Sequence, residues 1–420
     1  MVTEQSRTSA RTPARRNKRV LAAVVGSLSA GVLVAGCGPM LTANAGAGTG
    51  TSDATIAISP APAGAPAKVN DPVVITSNKG RLVDVVVMGT GGAVAGTMSE
   101  DGKKWSTLPG AELAFDSTYQ VQATAVDSDG RTTQAKNAIK TMTPAATFGV
   151  TKASVEDGQT YGVGMPIAVE FDTQVANRAE VEKLLHVKAS KPVVGAWSWN
   201  EGGDTVTFRP KGYWPANTDV AFKADLYGVQ ANPETWGNAD TSINFKVGSS
   251  VIMDVDDNTK EMVVKKDGQV IQTIPITMGK PGFETRSGIK VISAKEGTVI
   301  MDAATTGTST SSSEYYRLEV DYAMRLTDSG EFIHAAPWST WAQGSSNASH
   351  GCIGMSTGDA SWLWDQVTPG DVVVVSNTGR ETDLGNGITV WNEPWPQWLK
   401  GSATGPQQVG PTAEAPVQKA

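Results

Sequence analysis

Cys352 is one of only two cysteines in 420 residues, and it closes the run Ser349-His350-Gly351-Cys352. Two of the chain's three histidines lie close to it, His350 two residues before and His334 sixteen residues further upstream. A chain that uses so little Cys and His has gathered both in one glycine-bearing stretch. That is the composition of a cysteine nucleophile with an imidazole base. A thiol attacks a carbonyl only as the thiolate. Unassisted, it is largely protonated at neutral pH, so a base or a cation must sit beside it. In an extended segment His350 and Cys352 point the same way but stand too far apart for a close hydrogen bond. In a tight glycine turn the direction of His350 is open. His334 ends a predicted strand at 332–334 and is the better general base, delivered from across a sheet. Gly351 lacks the Cβ that would block a carbonyl, and it frees the N–H groups of Gly351 and Cys352 for a developing oxyanion. No nearby Asp or Asn stands out as the orienter of His334, and a main-chain carbonyl could hold the tautomer instead. One thiol and two histidines without a closely spaced second Cys or acid do not make a metal site, so no metal is expected.

The other cysteine belongs to the leader. Residues 1–19 carry six basic side chains and one acid, Glu4, and an apolar run at 20–36 follows. The run is short and rich in Ala, Gly and Ser, as in a secretory signal rather than a membrane span. It ends Val34-Ala35-Gly36-Cys37, which resembles a lipobox, so Cys37 is expected to be lipidated as the mature N-terminus. Cys352 then has no disulfide partner. A leftover thiol in an exported protein is more readily a reactive group than an inert core cysteine. Removing residues 1–36 takes six of 35 basic and one of 42 acidic residues, leaving 29 against 41, formally −12. That charge argues against nucleic acid and against binding an anionic wall polymer by bulk electrostatics.

The elements that must position this chemistry read as mainly β. Residues 37–69 are mostly Gly, Ala, Thr, Ser and Pro and are expected to form a disordered tether, with a root-mean-square reach of roughly 30 Å. Strands at 72–76, 82–88 and 119–126 with Asp-Gly turns predict an Ig-like β-sandwich over 70–144. Strands at 167–171, 205–208, 220–224 and 243–247 predict a second over 145–248, with a helical insert about 178–186 that ends on His186, read as a surface residue. Trp197, Trp199, Trp214 and Trp236 are expected in its core or at a domain contact. Residues 249–378 form a mostly antiparallel third domain. Its signals are a hairpin turn at Lys266-Asp267-Gly268-Gln269 and a single helix about 359–367, stopped by Thr368-Pro369-Gly370. Residues 379–403, with Trp391, Trp395 and Trp398, are expected to pack back on the third domain, and 404–420 to be disordered.

His334-Ala335-Ala336-Pro337-Trp338-Ser339, a spacer, and Ser345-Ser346-Asn347-Ala348-Ser349-His350-Gly351-Cys352 together resemble the catalytic signature of the L,D-transpeptidases of YkuD type. The likeness to the mycobacterial multidomain lipoprotein class extends from Thr277-Met278-Gly279-Lys280 to the Trp391–Trp398 stretch. The resemblance implies Cys352 as nucleophile, His334 as base held by the Ala335 carbonyl, and Ser349, His350 and Gly351 as parts of the catalytic loop. It implies Tyr316, Met301, Trp338, Ala335 and Asn347 as substrate-binding positions. The implied reaction takes a tetrapeptide stem of peptidoglycan, releases D-alanine through a cysteine acyl-enzyme, and forms a 3→3 diaminopimelate cross-link. It implies no cofactor, and carbapenem acylation of Cys352. The family usually has Asn or Arg two residues after the cysteine; here Gly354 offers no side chain. Two other readings are an L,D-carboxypeptidase, in which water resolves the acyl-enzyme, and a non-catalytic wall-binding lipoprotein. All three place the protein outside the cytoplasmic membrane, in the cell wall.

Overall fold

The computed structural model describes residues 50–411. The leader, the lipidation position Cys37 and residues 412–420 lie outside the described residues. No helix among the described residues is long and apolar enough to cross a membrane.

The first sandwich pairs Thr55–Ser59, Val74–Asn78, Lys104–Thr107 and Gly96–Met98 in one sheet. Gly92–Ala93, Arg81–Gly89, Thr118–Val126 and Thr132–Lys140 form the other. Residues of Thr118–Val126 alternate exposed and buried, and Val121, Ala123 and Ala125 reach the core with Ile75 and Trp105. This corrects the predicted tether. Thr55–Ser59 pairs antiparallel with Val74–Asn78, and Ile56 and Ile58 pack on the core. A five-residue alternation suffices for an edge strand even inside a Gly- and Ala-rich segment.

In the second sandwich, Ile167–Phe171, Thr205–Pro210 and Val194–Trp199 are central to one sheet, and Thr218–Ala224 and Thr241–Val247 to the other. Trp197 and Trp214 are wholly buried with Phe208 and Phe222. Trp199 donates to the buried Glu182, and Lys68 lies over Trp236. The helical insert is shorter than predicted: only Arg178–Glu182 is helical, and His186 falls in strand Leu185–Ala189. Its side chain faces Asp225 at the surface.

The third domain has two sheets and one α-helix. The first has the order β3 (Gln269–Pro275), β2 (Glu261–Lys266), β1 (Val251–Asp256), β9 (Val372–Ser376), β4 (Gly288–Val291), with β1 and β9 parallel. The second has β5 (Ala294–Asp302), β6 (Arg317–Arg325), β7 (Phe332–Ala335) and β8 (Ile353–Met355) in that order, with β7 and β8 parallel. Asp267 (φ 49°) and Gly268 (φ 81°) both take positive φ in the β2–β3 hairpin, as a two-residue turn of that hand demands. Helix α1 (Thr357–Gln366) starts where Ser356 Oγ accepts from the Asp359 N–H at 3.1 Å. It buries Ala360 and Leu363 in the domain's core cluster and packs on β6 and β7. Full burial of a leucine contributes about 1.5–3 kcal/mol.

The C-terminal stretch departs from expectation twice. Residues 379–403 bind the third domain, where Asn392 Nδ2 donates to Ile289 O. They also bind the second sandwich, where Trp391 donates to Gly164 O and Trp398 to Ala196 O. The predicted disorder from 404 is overturned up to residue 411: Gln407–Gln408 pairs with Val194 and Gly195, and Val409 is buried. Polar composition hid a strap whose hydrogen bonds are made mostly by backbone.

Candidate active site

The chain brings His334 and Cys352 together through the parallel pair β7–β8. His334 is the third residue of β7 and stands opposite Gly354. Cys352 immediately precedes β8. Both line one cavity of about 160 Å³, with Met301, Tyr316, Trp338, Ser349 and His350. His334 Nδ1 lies 2.7 Å from Ala335 O. A carbonyl only accepts, so Nδ1 carries the proton and Nε2 is left with a free lone pair. The ring is 5 % exposed. Burial pushes its pKa down, with the Ala335 hydrogen bond acting the other way. Trp338 stacks on it at 6.0 Å between ring centres.

Cys352 is a free thiol, 6 % exposed. Its Sγ donates to Gly330 O at 3.7 Å and lies 4.0 Å from Met301 Sδ. Burial first of all pushes the thiol up to about 12. The Phe332 N–H opposes that shift, Glu331 adds to it, and Lys290 opposes it. Thiol and imidazole are thus both held neutral at rest.

The turn before Cys352 is tied from three sides. Gly351 sits at φ +122°, which only glycine adopts readily. Thr285 Oγ1 donates to Gly351 O at 2.8 Å. Gly351 N–H donates to Ser349 Oγ at 3.1 Å, and Ser349 Oγ donates to Cys352 O at 2.6 Å. The Gly351 amide is therefore not free at rest, unlike the expectation for an oxyanion donor. His350 Nε2 donates to Glu314 Oε2 at 2.8 Å, which Lys280 also binds. Its ring lies 4.6 Å from Phe283 and 4.8 Å from Tyr316. His350 is thus directed at Glu314 rather than at the thiol. Burial, and then the Cys352 charge, push the Tyr316 phenol up to about 12.

The chain shares 36 % identity over 337 residues with L,D-transpeptidase 2 of Mycobacterium tuberculosis, spanning 80 % of this chain and 81 % of that relative. The chain belongs to the L,D-transpeptidases. The family's catalytic domain profile matches residues 250–375, and a bacterial Ig domain profile matches residues 65–230. L,D-transpeptidase 5 of the same species is 31 % identical over 81 % of this chain and 75 % of its own. A solved LD transpeptidase in complex with imipenem is 33 % identical, covers 54 % of this chain and 99 % of its own, and aligns with a TM-score of 0.48.

Two expected substrate positions of this L,D-transpeptidase serve the scaffold. Asn347 Nδ2 donates to Asp257 Oδ1 at 2.7 Å and its Oδ1 accepts from the Met278 N–H at 3.3 Å, so it braces the catalytic loop and does not line the cavity. Ala335 acts through the carbonyl that holds His334. Gly354 lines the cavity, and its N–H and C=O pair with Thr277. A Cβ there would stand 2.9 Å from Ala336 Cβ and 3.2 Å from Thr277 Cγ2, so this transpeptidase has closed the space a side chain would need. Sequence reasoning missed Thr285, Glu314, Glu331 and Lys290. Thr285 and Glu314 reach the 349–352 turn from 66 and 36 residues away and Lys290 reaches it only through Glu331, and only Lys290, a charge within an apolar strand stretch, stood out from its neighbours.

Proposed function

We propose that the enzyme forms 3→3 cross-links in peptidoglycan, with Cys352 as nucleophile and His334 as general base. The observation that carries this reading is the imidazole locked by Ala335 O, with its basic Nε2 left for the cavity that also holds the thiol. The Cys352 S–H bond breaks, its proton passes to His334 Nε2, and the sulfur pair forms the C–S bond to the donor carbonyl. His334 returns the proton to the departing D-alanine. A side-chain amine of a second stem then attacks the thioester, and its proton returns by the same imidazole to sulfur. The Cys352 amide meets the developing oxyanion, joined by the Gly351 amide as Ser349 gives it up. Tyr316, Met301 and Trp338 wall the donor stem. A carbapenem enters as a donor analogue and acylates the same sulfur.

We place the catalytic domain at 249–378, the second Ig-like domain at 145–248, and the first at 54–144, since its sheet and core take in the Thr55–Ser59 strand. A leader removed at Cys37 would leave a lipid anchor there and hold the enzyme on the outer face of the cytoplasmic membrane. The wall polymer is then met locally by the cavity, since the mature chain is acidic.

Purified enzyme with a disaccharide tetrapeptide should yield diaminopimelate–diaminopimelate dimers by mass spectrometry, and Cys352→Ala should yield none. Dimers from the Cys352→Ala variant would sink the reading. Tripeptide without dimer, at saturating acceptor, would replace transfer by hydrolysis. Labelling with palmitate that survives Cys37→Ser would refute the anchor.

A further inference from the structure

Glu331 is an acid buried behind the thiol, and no step above uses it. It is 4 % exposed. Its Oε1 accepts from Arg286 Nη1 at 2.8 Å and from the Arg286 N–H at 3.2 Å. Its Oε2 accepts from Lys290 Nζ at 2.6 Å, and Lys290, on β4, is 0 % exposed. Arg286 also reaches the exposed Asp383 at 3.2 Å. Buried ion clusters are poor stabilisers, because desolvation offsets much of the attraction. Stability alone is thus a weak reason for this one.

Its location supplies a better reason. Residue 331 lies between the two backbone groups that touch the sulfur. Gly330 O accepts from Sγ at 3.7 Å, and the Phe332 N–H donates to it. The carboxylate also backs the nucleophile turn: a Cβ on Gly351 would stand 3.7 Å from Glu331 Cγ and 3.9 Å from Oε1. Arg286 follows Thr285, whose hydroxyl holds Gly351 O. One segment, 285–286, therefore grips both the turn and the acid behind it. The two buried charges that act on the sulfur have opposite signs. Glu331 disfavours the thiolate and Lys290 favours it, the acid more strongly. The remaining ionisable groups facing the thiol across the cavity are His334, His350 and Tyr316.

We propose that Glu331 is a positioning residue for Cys352: clamped by Arg286 and Lys290, it fixes the Gly330 and Phe332 bracket around the sulfur, and it sets a negative charge behind the buried thiol that His334 deprotonates. The inference rests on Cys352 being the nucleophile. It gives Lys290 the counterpart role. Once the S–H bond breaks and its proton sits on His334 Nε2, the buried ammonium supports the negative sulfur that forms the C–S bond.

The test is the pH dependence of iodoacetamide alkylation in the full chain, followed by the mass of the Cys352 peptide. Glu331→Gln keeps the shape and removes the negative charge. Its alkylation midpoint should fall by about one pH unit or more, while Lys290→Met should raise it. Opposite shifts distinguish electrostatic control from general loosening. Unchanged midpoints in both folded variants, or shifts in the same direction, overturn the proposal. Should neither variant fold, the wild-type profile decides, since a midpoint at or below that of a free thiol means a resting thiolate and overturns it. Alkylation needs no stem peptide. An enzyme that shows the opposite shifts yet never forms an acyl-enzyme refutes the proposed reaction and not the control of the thiol.

Discussion

Thr285 is a sharp place to test whether the catalytic turn is held as described. The residue is 1 % exposed, and its hydroxyl is used twice. It donates to Gly351 O at 2.8 Å and accepts from the Gly279 N–H at 2.9 Å. Thr285→Val keeps the volume and removes both bonds. Each buried group left without a partner costs about 1–3 kcal/mol, so the pair should cost about 2–6 kcal/mol. That loss is local, because Gly279 and Gly351 belong to two loops that meet at the site. Native-state hydrogen exchange of the Gly279 amide should therefore speed up by about 30- to 20,000-fold, at one decade per 1.4 kcal/mol. The carbapenem acylation rate of Cys352 should fall with it, since Gly351 loses the anchor of its left-handed conformation. Thr285→Ser retains the hydroxyl and should recover most of both. Exchange at Gly279 within threefold of wild type in Thr285→Val, with unchanged acylation, would refute the claim that this hydroxyl sets the turn.

Other expectations follow from the same contacts. The thiol is raised from 9.0 to about 12 in the folded chain, so the native state holds its proton more tightly than the unfolded one. Its contribution to stability is complete below pH 9 and is lost as pH climbs towards about 12. Cys352→Ala should flatten that alkaline loss in denaturant titrations, and an identical slope would contradict it. The His334 shift runs downward, so the base stays unprotonated below the pH at which a free imidazole charges. The acid limb of acylation should accordingly lie below the ordinary histidine value, and a limb above it would count against His334. Glu182 accepts from Trp199 Nε1, Ser402 Oγ and the N–H groups of Ala403 and Thr404. Glu182→Gln should cost about 2 kcal/mol or more and expose 402–409 to exchange, which unchanged protection would disprove. Gly354→Ala should cost about 1–3 kcal/mol by overpacking and slow acylation by displacing Ala336, two residues from His334; wild-type rates at reduced stability would show that the strain stays out of the site.

The thiol and imidazole proposed as nucleophile and base were legible before any fold, because they lie within nineteen residues and that pairing needs no tertiary context, whereas the Ala335 carbonyl as the imidazole's partner came only with the family resemblance. The hairpin at Asp267-Gly268 and the start of α1 at Ser356 were legible for a related reason, since turn and cap preferences are local. Residues that act across the chain were not. Glu331 reads as a turn acid until Arg286 and Lys290 close on it from 45 and 41 residues away. Asn347 sits inside the motif and so looked like a substrate contact, but its partner Asp257 lies 90 residues off. The edge strand at Thr55–Ser59 and the Gln407–Gln408 strap failed for another reason. Composition averaged over a Gly- and Ala-rich window outweighs a few alternating side chains, and a pairing of two backbones leaves almost no trace in side-chain type.

The second sandwich cannot be a mere spacer for the catalytic domain. Val372 of β9 belongs to its core cluster, and Ile289 and Val374 of the same catalytic sheet pack against that cluster. The Gly162 and Gly164 amides donate to Pro369 O and Gly370 O, so the turn that ends α1 is completed by the sandwich. A Cβ at Gly162 would stand 2.2 Å from Asp371 Oδ1, which leaves no room for a side chain between the two bodies. The C-terminal strap then crosses the seam, with Arg209 of the sandwich stacked on Trp391, Trp395 and Trp398. Removing this sandwich would bare the outer face of β4 and β9 and leave the strap's indoles in water. β4 carries Lys290, and the loop before it carries Thr285 and Arg286. The second sandwich therefore supports the ion cluster behind the thiol through the sheet that it covers. Among the described residues, the first sandwich, whose core cluster shares no residue with the catalytic sheets, is free to act as a pure extension.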